Sequence, residues 1–186
     1  MKRMPLREAL RKRNDIVKSI LSGSVFVYPT DTVYGIGCDA ANQEAVARIR
    51  KIKRTSHPFS VIAPSREWIK ENMEIKKPFE KYLDFLPGPY TLILKVKGNI
   101  VSENVSYSGK LGIRIPRHPL TELIQESGTP FVTTSCNISG EETISSVAGI
   151  PVSISGKADF IIDAGRLGNQ ASSIIDLTGS RPKRIR

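Results

Sequence analysis

The sequence predicts a single α/β domain in which a twisted sheet of mixed parallel and antiparallel strands is flanked by helices, with its chemistry gathered on a concave, basic side. Three observations lead there. Short β-branched and aromatic runs alternate with segments whose apolar residues return at helical spacing. With 186 residues, 39% of them hydrophobic, the chain can bury one proper core and does not need a second domain. No internal repeat or low-complexity tract interrupts the pattern.

Residues 5–21 read as an amphipathic helix, with Leu6, Ala9, Leu10, Val17, Ile20 and Leu21 on one side and Gly23 as its stop. Residues 1–23 are therefore expected to be a basic helix packed on the remaining unit, 24–186. Lys2, Arg3, Arg7, Arg11, Lys12, Arg13 and Lys18 stand there against only Glu8 and Asp15, which suits a solvated face or an RNA-binding arm.

Val25, Phe26, Val27 and Tyr28 form a first strand, and Pro29, without an N–H, ends it. Thr30, Asp31 and Thr32 then present short polar side chains, while Gly35 and Gly37 permit positive φ and close backbone approach. From Asn42, a good N-cap, a helix turns Ala45, Val46, Ile49 and Ile52 inward. Residues 59–63 read as a buried strand, 65 onward as a short helix in which Trp68 packs, and 78–85 as another helix. Pro87-Gly88-Pro89 turns the chain into a strand over 90–96, where Thr91, Ile93 and Lys95 alternate with Leu92, Leu94 and Val96. Residues 98–110 read as a loop able to fold over a site. In the strand over 111–115, Arg114 between Ile113 and Ile115 must face water or be paired, because an unpaired buried guanidinium is expensive; a ligand carboxylate or phosphate would meet that need. A helix over 120–126 stops at Gly128, and a strand over 131–134 leads into a hydroxyl- and amide-rich turn, 135–140. Residues 141–157 show no clear period, and 158–162 and 173–177 are late strands before a basic tail.

The net charge of +10 points to anionic partners, nucleotide, RNA or both. Cys38 and Cys136 lie far apart, with only two histidines in the chain, and are expected to be buried free thiols in a reducing cytoplasm. No apolar run approaches the roughly 20 residues that span a bilayer. Gly35, Gly37 and Ala40 fit a dinucleotide-binding G-x-G-x-x-A spacing, but six residues separate the strand from the first glycine and no acid occupies residues 55–60. No Walker A sequence, nucleophile elbow or metal-site spacing is present. What remains is a set of cations and hydroxyls suited to holding a nucleotide and stabilising charge on phosphorus.

Five stretches in order carry a resemblance: Tyr28 to Ala40, Pro87-Gly88-Pro89-Tyr90-Thr91-Leu92, Gly112-Ile113-Arg114-Ile115-Pro116, Ser135-Cys136-Asn137-Ile138-Ser139-Gly140 and Ser172-Ser173-Ile174-Ile175-Asp176-Leu177. Together they resemble the YrdC/Sua5 family, the threonylcarbamoyl-AMP synthases, whose first signature usually reads Pro-Thr-(Asp or Glu)-Thr-Val-Tyr-Gly-Leu-Gly. The resemblance implies a YrdC-like fold and a nucleotidyltransferase reaction: L-threonine, bicarbonate and ATP give threonylcarbamoyl-AMP and pyrophosphate, the first step of tRNA t6A modification. By motif position it implies that Thr30, Arg114, Thr133 and Ser172 meet threonine, and that Lys53, His57, Lys110, Ser135, Thr143 and Arg186 meet ATP, with Lys51, Arg54 and Asn137 as neighbours. No protein metal ligand is implied; Mg²⁺ is expected to enter with ATP. Further expected partners are tRNA or double-stranded RNA on the basic face and a downstream threonylcarbamoyl-transfer enzyme, with no membrane.

The chain departs from the family at two places. The usual Lys-x-Arg-Pro is here Lys51-Ile52-Lys53-Arg54, so either Lys53 or Arg54 takes the arginine's role, and a plain basic helix end is the competing reading. Ile62 stands where several relatives have a substrate-binding histidine. Two other functions stay open: a non-catalytic RNA-binding module, and a carbamoyl-transfer domain using carbamoyl phosphate, as in hydrogenase-maturation relatives with much longer chains.

Overall fold

The computed structural model describes residues 2–106, 108–168 and 170–186; Tyr107, inside the expected 98–110 loop, lies outside them. Among the described residues eleven strands form one mixed sheet: β1 (Lys2–Pro5), β2 (Phe26–Tyr28), β3 (Gly35–Gly37), β4 (Ser60–Ile62), β5 (Met73–Glu74), β6 (Tyr90–Val96), β7 (Lys110–Arg114), β8 (Phe131–Ser135), β9 (Phe160–Asp163), β10 (Ser173–Asp176) and β11 (Lys183–Arg184). Their spatial order is β1-β9-β2-β3-β8-β4-β7-β6-β10-β11, with β5 added beside β6. Parallel pairs (β1 with β9, β9 with β2, β4 with β7, β6 with β10) are mixed with antiparallel ones, as expected for the mixed α/β class.

Among the described residues six α-helices flank the sheet: α1 (Leu6–Arg11), α2 (Arg13–Leu21), α3 (Gln43–Lys53), α4 (Arg66–Asn72), α5 (Pro119–Gln125) and α6 (Val152–Ser155). The expected helix over 5–21 is thus two helices, broken at Lys12, where φ −94° and ψ 35° leave the helical range. The break lets both halves pack on α5, while the residues ahead of them become an edge strand. Asn42 caps α3 as expected, its side chain accepting from the Ala45 N–H at 3.0 Å. Ser65 caps α4 in the same way. The segment expected as a helix over 78–85 is a run of 3-10 turns, Lys77–Phe85.

Side-chain alternation gives the sheet two unlike faces. Val27, Ile36, Val61, Leu92, Leu94, Leu111, Ile113, Val132 and Ile161 enter the larger core under α3, α4 and α6. On the other face Met4, Phe26, Tyr28, Ile62, Phe131, Phe160 and Ile162 meet Ala9, Ile16, Ile20, Leu120, Leu123 and Ile124 of α1, α2 and α5. Phe26 is the centre of that second cluster, stacked on Phe160 at 4.6 Å and tilted against Phe131 at 5.3 Å.

Gly35-Ile36-Gly37, whose glycines permit positive φ and close backbone approach, forms a strand between β2 and β8 without positive φ at either glycine. A Cβ at Gly37 would meet the Val132 carbonyl at 2.1 Å and the Phe131 ring at 2.3 Å, so the glycine is required by close approach rather than by a turn. The expected loop is docked on the body: the Ser102 N–H donates to the Ala40 carbonyl, the Phe59 N–H to the Val105 carbonyl, and Val105 is fully buried. Both cysteines are buried free thiols. Among the described residues no helix is long and apolar enough to cross a membrane.

Candidate active site

Toward β7, β6 and β10 the second face is not sealed. It opens as a cavity of about 230 Å³ lined by strand and loop residues. Thr133 and Ser135 of β8, Ser60 of β4, Arg114 of β7, Thr91 of β6 and Ile174 of β10 line it, with Thr30, Thr32, Ser172 and Arg186 supplied by the flanking turns and the tail. Gly112 keeps its floor open, since a Cβ there would meet the Ser60 hydroxyl at 2.4 Å.

Six of the residues singled out in the sequence therefore come together here: Thr30, Arg114, Thr133, Ser135, Ser172 and Arg186. Arg114 is 7% exposed. Its Nη2 donates to Asp31 Oδ1 at 2.7 Å and, more weakly, to Thr32 Oγ1 at 3.4 Å, whereas its Nε–H has no hydrogen-bond partner among the described residues. Burial pulls the guanidinium down from its ordinary range, and the Asp31 charge opposes this. Of the alternatives open to this arginine, the described residues show pairing: the Asp31 carboxylate holds one edge of it. Thr133 Oγ1 accepts from the Tyr28 hydroxyl at 2.7 Å, a phenol that burial keeps protonated. Thr30 Oγ1 donates to the Val33 carbonyl and accepts from the Thr32 N–H, so its hydroxyl closes a local turn at the cavity wall. Ser172 and Thr91 share a hydroxyl contact of 2.9 Å, and Arg186 Nε donates to the Ser172 carbonyl at 2.9 Å.

The end of α3 supplies a second group of contacts. Lys53, 4% exposed, donates to the Ser135 carbonyl at 2.5 Å and to Asn137 Oδ1 at 3.3 Å. Asn137 also accepts from the Ser135 hydroxyl and donates to the Glu141 carbonyl. No carboxylate pairs with Lys53 among the described residues, and burial pushes its ammonium down to about 8. At neutral pH it is still mainly charged. Arg54 occupies the left-handed C-cap with φ 50° and is exposed, as are Lys51 and His57. Of the two alternatives at the helix end, the lysine points inward and the arginine outward. Lys110 reaches Asp176 at 4.0 Å and, like the exposed Thr143, does not line the cavity. Ile62 packs in the smaller apolar cluster.

Several residues escaped the sequence reading. Asp31 and Thr32 stood in the first motif as polar residues without an assigned partner; Thr91 was marked only by the alternation of its strand. Arg50 gave no signal, yet it donates to the carbonyls of Asn104, Thr55 and His57 and lies over the Phe59 ring at 4.5 Å, fixing the turn after α3.

Comparison with known proteins identifies the family and the fold. The Sua5/YciO/YrdC family model, described as "Telomere recombination", matches residues 18–186. A Methanocaldococcus jannaschii protein provisionally named threonylcarbamoyl-AMP synthase is 35% identical over 187 residues, covering 97% of this chain and 88% of that relative. A Coxiella burnetii threonylcarbamoyl-AMP synthase is 32% identical over 161 residues, covering 83% and 86%. The structure of P. abyssi Sua5 complexed with L-threonine superposes with a TM-score of 0.89 at 30% identity over 100% of this chain; it is a longer protein, of which this chain spans 56%. The chain belongs to the Sua5/YciO/YrdC family.

Proposed function

We propose that the chain makes threonylcarbamoyl-AMP from L-threonine, bicarbonate and ATP, with release of pyrophosphate. The observation that carries this is a pair of buried cations joined through Ser135: Arg114 in a small hydroxyl-lined cavity that Ser135 also lines, and Lys53, held by the Ser135 carbonyl and Asn137 with no carboxylate partner among the described residues. At about 230 Å³ the cavity is below the usual 300–1,000 Å³ of drug-sized sites, so it suits an amino acid, with the nucleotide along its rim.

On this reading the Arg114 guanidinium receives the threonine carboxylate, and the hydroxyls of Thr133 and Ser172 line the rest of the amino acid. The unprotonated amine attacks the bicarbonate carbon and water is lost to give a carbamate, whose oxygen displaces pyrophosphate from the α-phosphate of ATP. Lys53, with the hydroxyl of Ser135, stabilises negative charge on the phosphates, and Arg186 supplies a further cation at the rim. The Ser135 hydroxyl and the Asn137 amide would face the water shell of an Mg²⁺ carried by the triphosphate, which would supply charge neutralisation there. The protein thus works by holding two anions together in reacting geometry. The same reading includes cytoplasmic location, delivery of the product to a threonylcarbamoyl-transfer enzyme for t6A formation, and contact with tRNA through the basic surface.

The test is pyrophosphate release from ATP with each substrate omitted in turn. The expected result is dependence on both L-threonine and bicarbonate, with serine the poorer substrate. Equal turnover without any amino acid overturns the assignment and points to a plain ATPase.

A further inference from the structure

We infer that Asp31 is a positioning residue for amino-acid binding: from behind the cavity it holds the Arg114 guanidinium by one edge and leaves the remainder for the substrate carboxylate. The inference rests on the threonine-dependent reaction proposed above. Both oxygens of Asp31 are used. Oδ1 accepts from Arg114 Nη2 at 2.7 Å, and Oδ2 accepts from the backbone N–H of Arg117 at 2.9 Å. One carboxylate therefore ties the Arg114 side chain to the chain leaving its own strand, and the guanidinium cannot swing away from Asp31 without breaking the shorter of its two contacts.

The placement of Asp31 matters as much as its bonds. It does not line the cavity that Arg114 lines; it lies in the neighbouring depression with Arg117 and His118. A carboxylate entering the first cavity approaches Arg114 without displacing Asp31. The unpartnered Nε–H of Arg114 means that Asp31 and Thr32 have not used up its donors. Arginine presents donors in a planar fork, so fixing one nitrogen orients all of them.

A fixed carboxylate also repels an incoming one, and the two effects have opposite signs. If positioning dominates, neutralising Asp31 weakens threonine use; if repulsion dominates, it strengthens it. The experiment compares the parent chain with Asp31→Asn and Asp31→Glu, measuring the threonine and ATP dependence of pyrophosphate release alongside thermal unfolding. Asp31→Asn should raise the threonine KM about ten- to a hundredfold, the scale of a misplaced binding group, with the ATP KM within about twofold. Asp31→Glu keeps the charge and should show an intermediate rise in the threonine KM alone. If Asp31→Asn does not fold, that selective rise in Asp31→Glu is the test. An unchanged or lower threonine KM, or equal rises for both substrates, overturns the inference. Absence of threonine-dependent release in the parent itself would instead overturn the proposed function, and the inference with it.

Discussion

Phe131 and Thr133 lie two residues apart on β8 and face the same side of the sheet, yet their surroundings are opposite. Phe131 is sealed among Phe26, Tyr28 and the apolar side chains of α1, α2 and α5. Thr133 opens on the hydroxyl-lined cavity. The boundary between the two regions is held by polar contacts: the Tyr28 hydroxyl to Thr133, and Asp31 to Arg114. The helix-covered half draws stability from area removed from water. The open half keeps polar groups at a cost, and only specific pairing makes that cost tolerable.

Perturbations of the two halves should therefore have different signatures. The largest loss of stability is expected on the covered side, where Phe131→Ala leaves a cavity among packed rings and should cost about 3–5 kcal/mol in chemical denaturation, without selectively changing either substrate's KM in the folded fraction. Arg114→Leu in the open half should also destabilise the substrate-free protein, by about 3 kcal/mol, since it strands the Asp31 carboxylate, though the Arg117 N–H remains to it. Threonine-dependent turnover should vanish at the same time. A variant that kept full thermal stability would show that Asp31 is not held by this pair.

Lys53→Ala should lower ATP use by about ten- to a hundredfold, the equivalent of roughly 1.5–3 kcal/mol for a charge-assisted contact. Its pH behaviour sharpens the point. The ammonium sits at about 8 in the folded chain, below its ordinary 10.5, so the unfolded chain binds more protons between those values. Stability from this group is therefore lost as pH falls through about 8, and the parent should gain stability relative to Lys53→Met as pH rises from 8 toward 10.5. ATP use should move the other way, the parent's advantage fading above pH 8. Titration of both quantities across that window is the check. The smallest effect is expected at the boundary, where Tyr28→Phe removes one buried hydrogen bond and should cost about 1 kcal/mol in denaturant unfolding.

Much of this division was legible beforehand, and the exceptions have physical causes. Strands with a clean apolar alternation, such as β6 and β7, and helices with a capping residue, such as α3, follow from local pattern. The edge strands β1 and β11 are too short to show any period, and the pairing of β1 is decided by β9, far away in the chain. Gly37 looks like a turn former because sequence does not distinguish a glycine needed for positive φ from one needed because Phe131 passes over it. In the site, the hydroxyl motifs and the isolated Arg114 were readable. The partner of Arg114 was not, since it comes from a residue 83 positions earlier.

The central claim is that the open half of the face joins threonine carbamate to AMP. Its most direct measurement is mass spectrometry of the nucleotide product after incubation with L-threonine, carbon-13 bicarbonate, Mg²⁺ and ATP, for the parent and Arg114→Lys. The account predicts labelled threonylcarbamoyl-AMP from the parent and a marked loss in Arg114→Lys, which keeps the charge but not the planar fork. Pyrophosphate formed without a labelled adenylate, or equal product from both proteins, would contradict it.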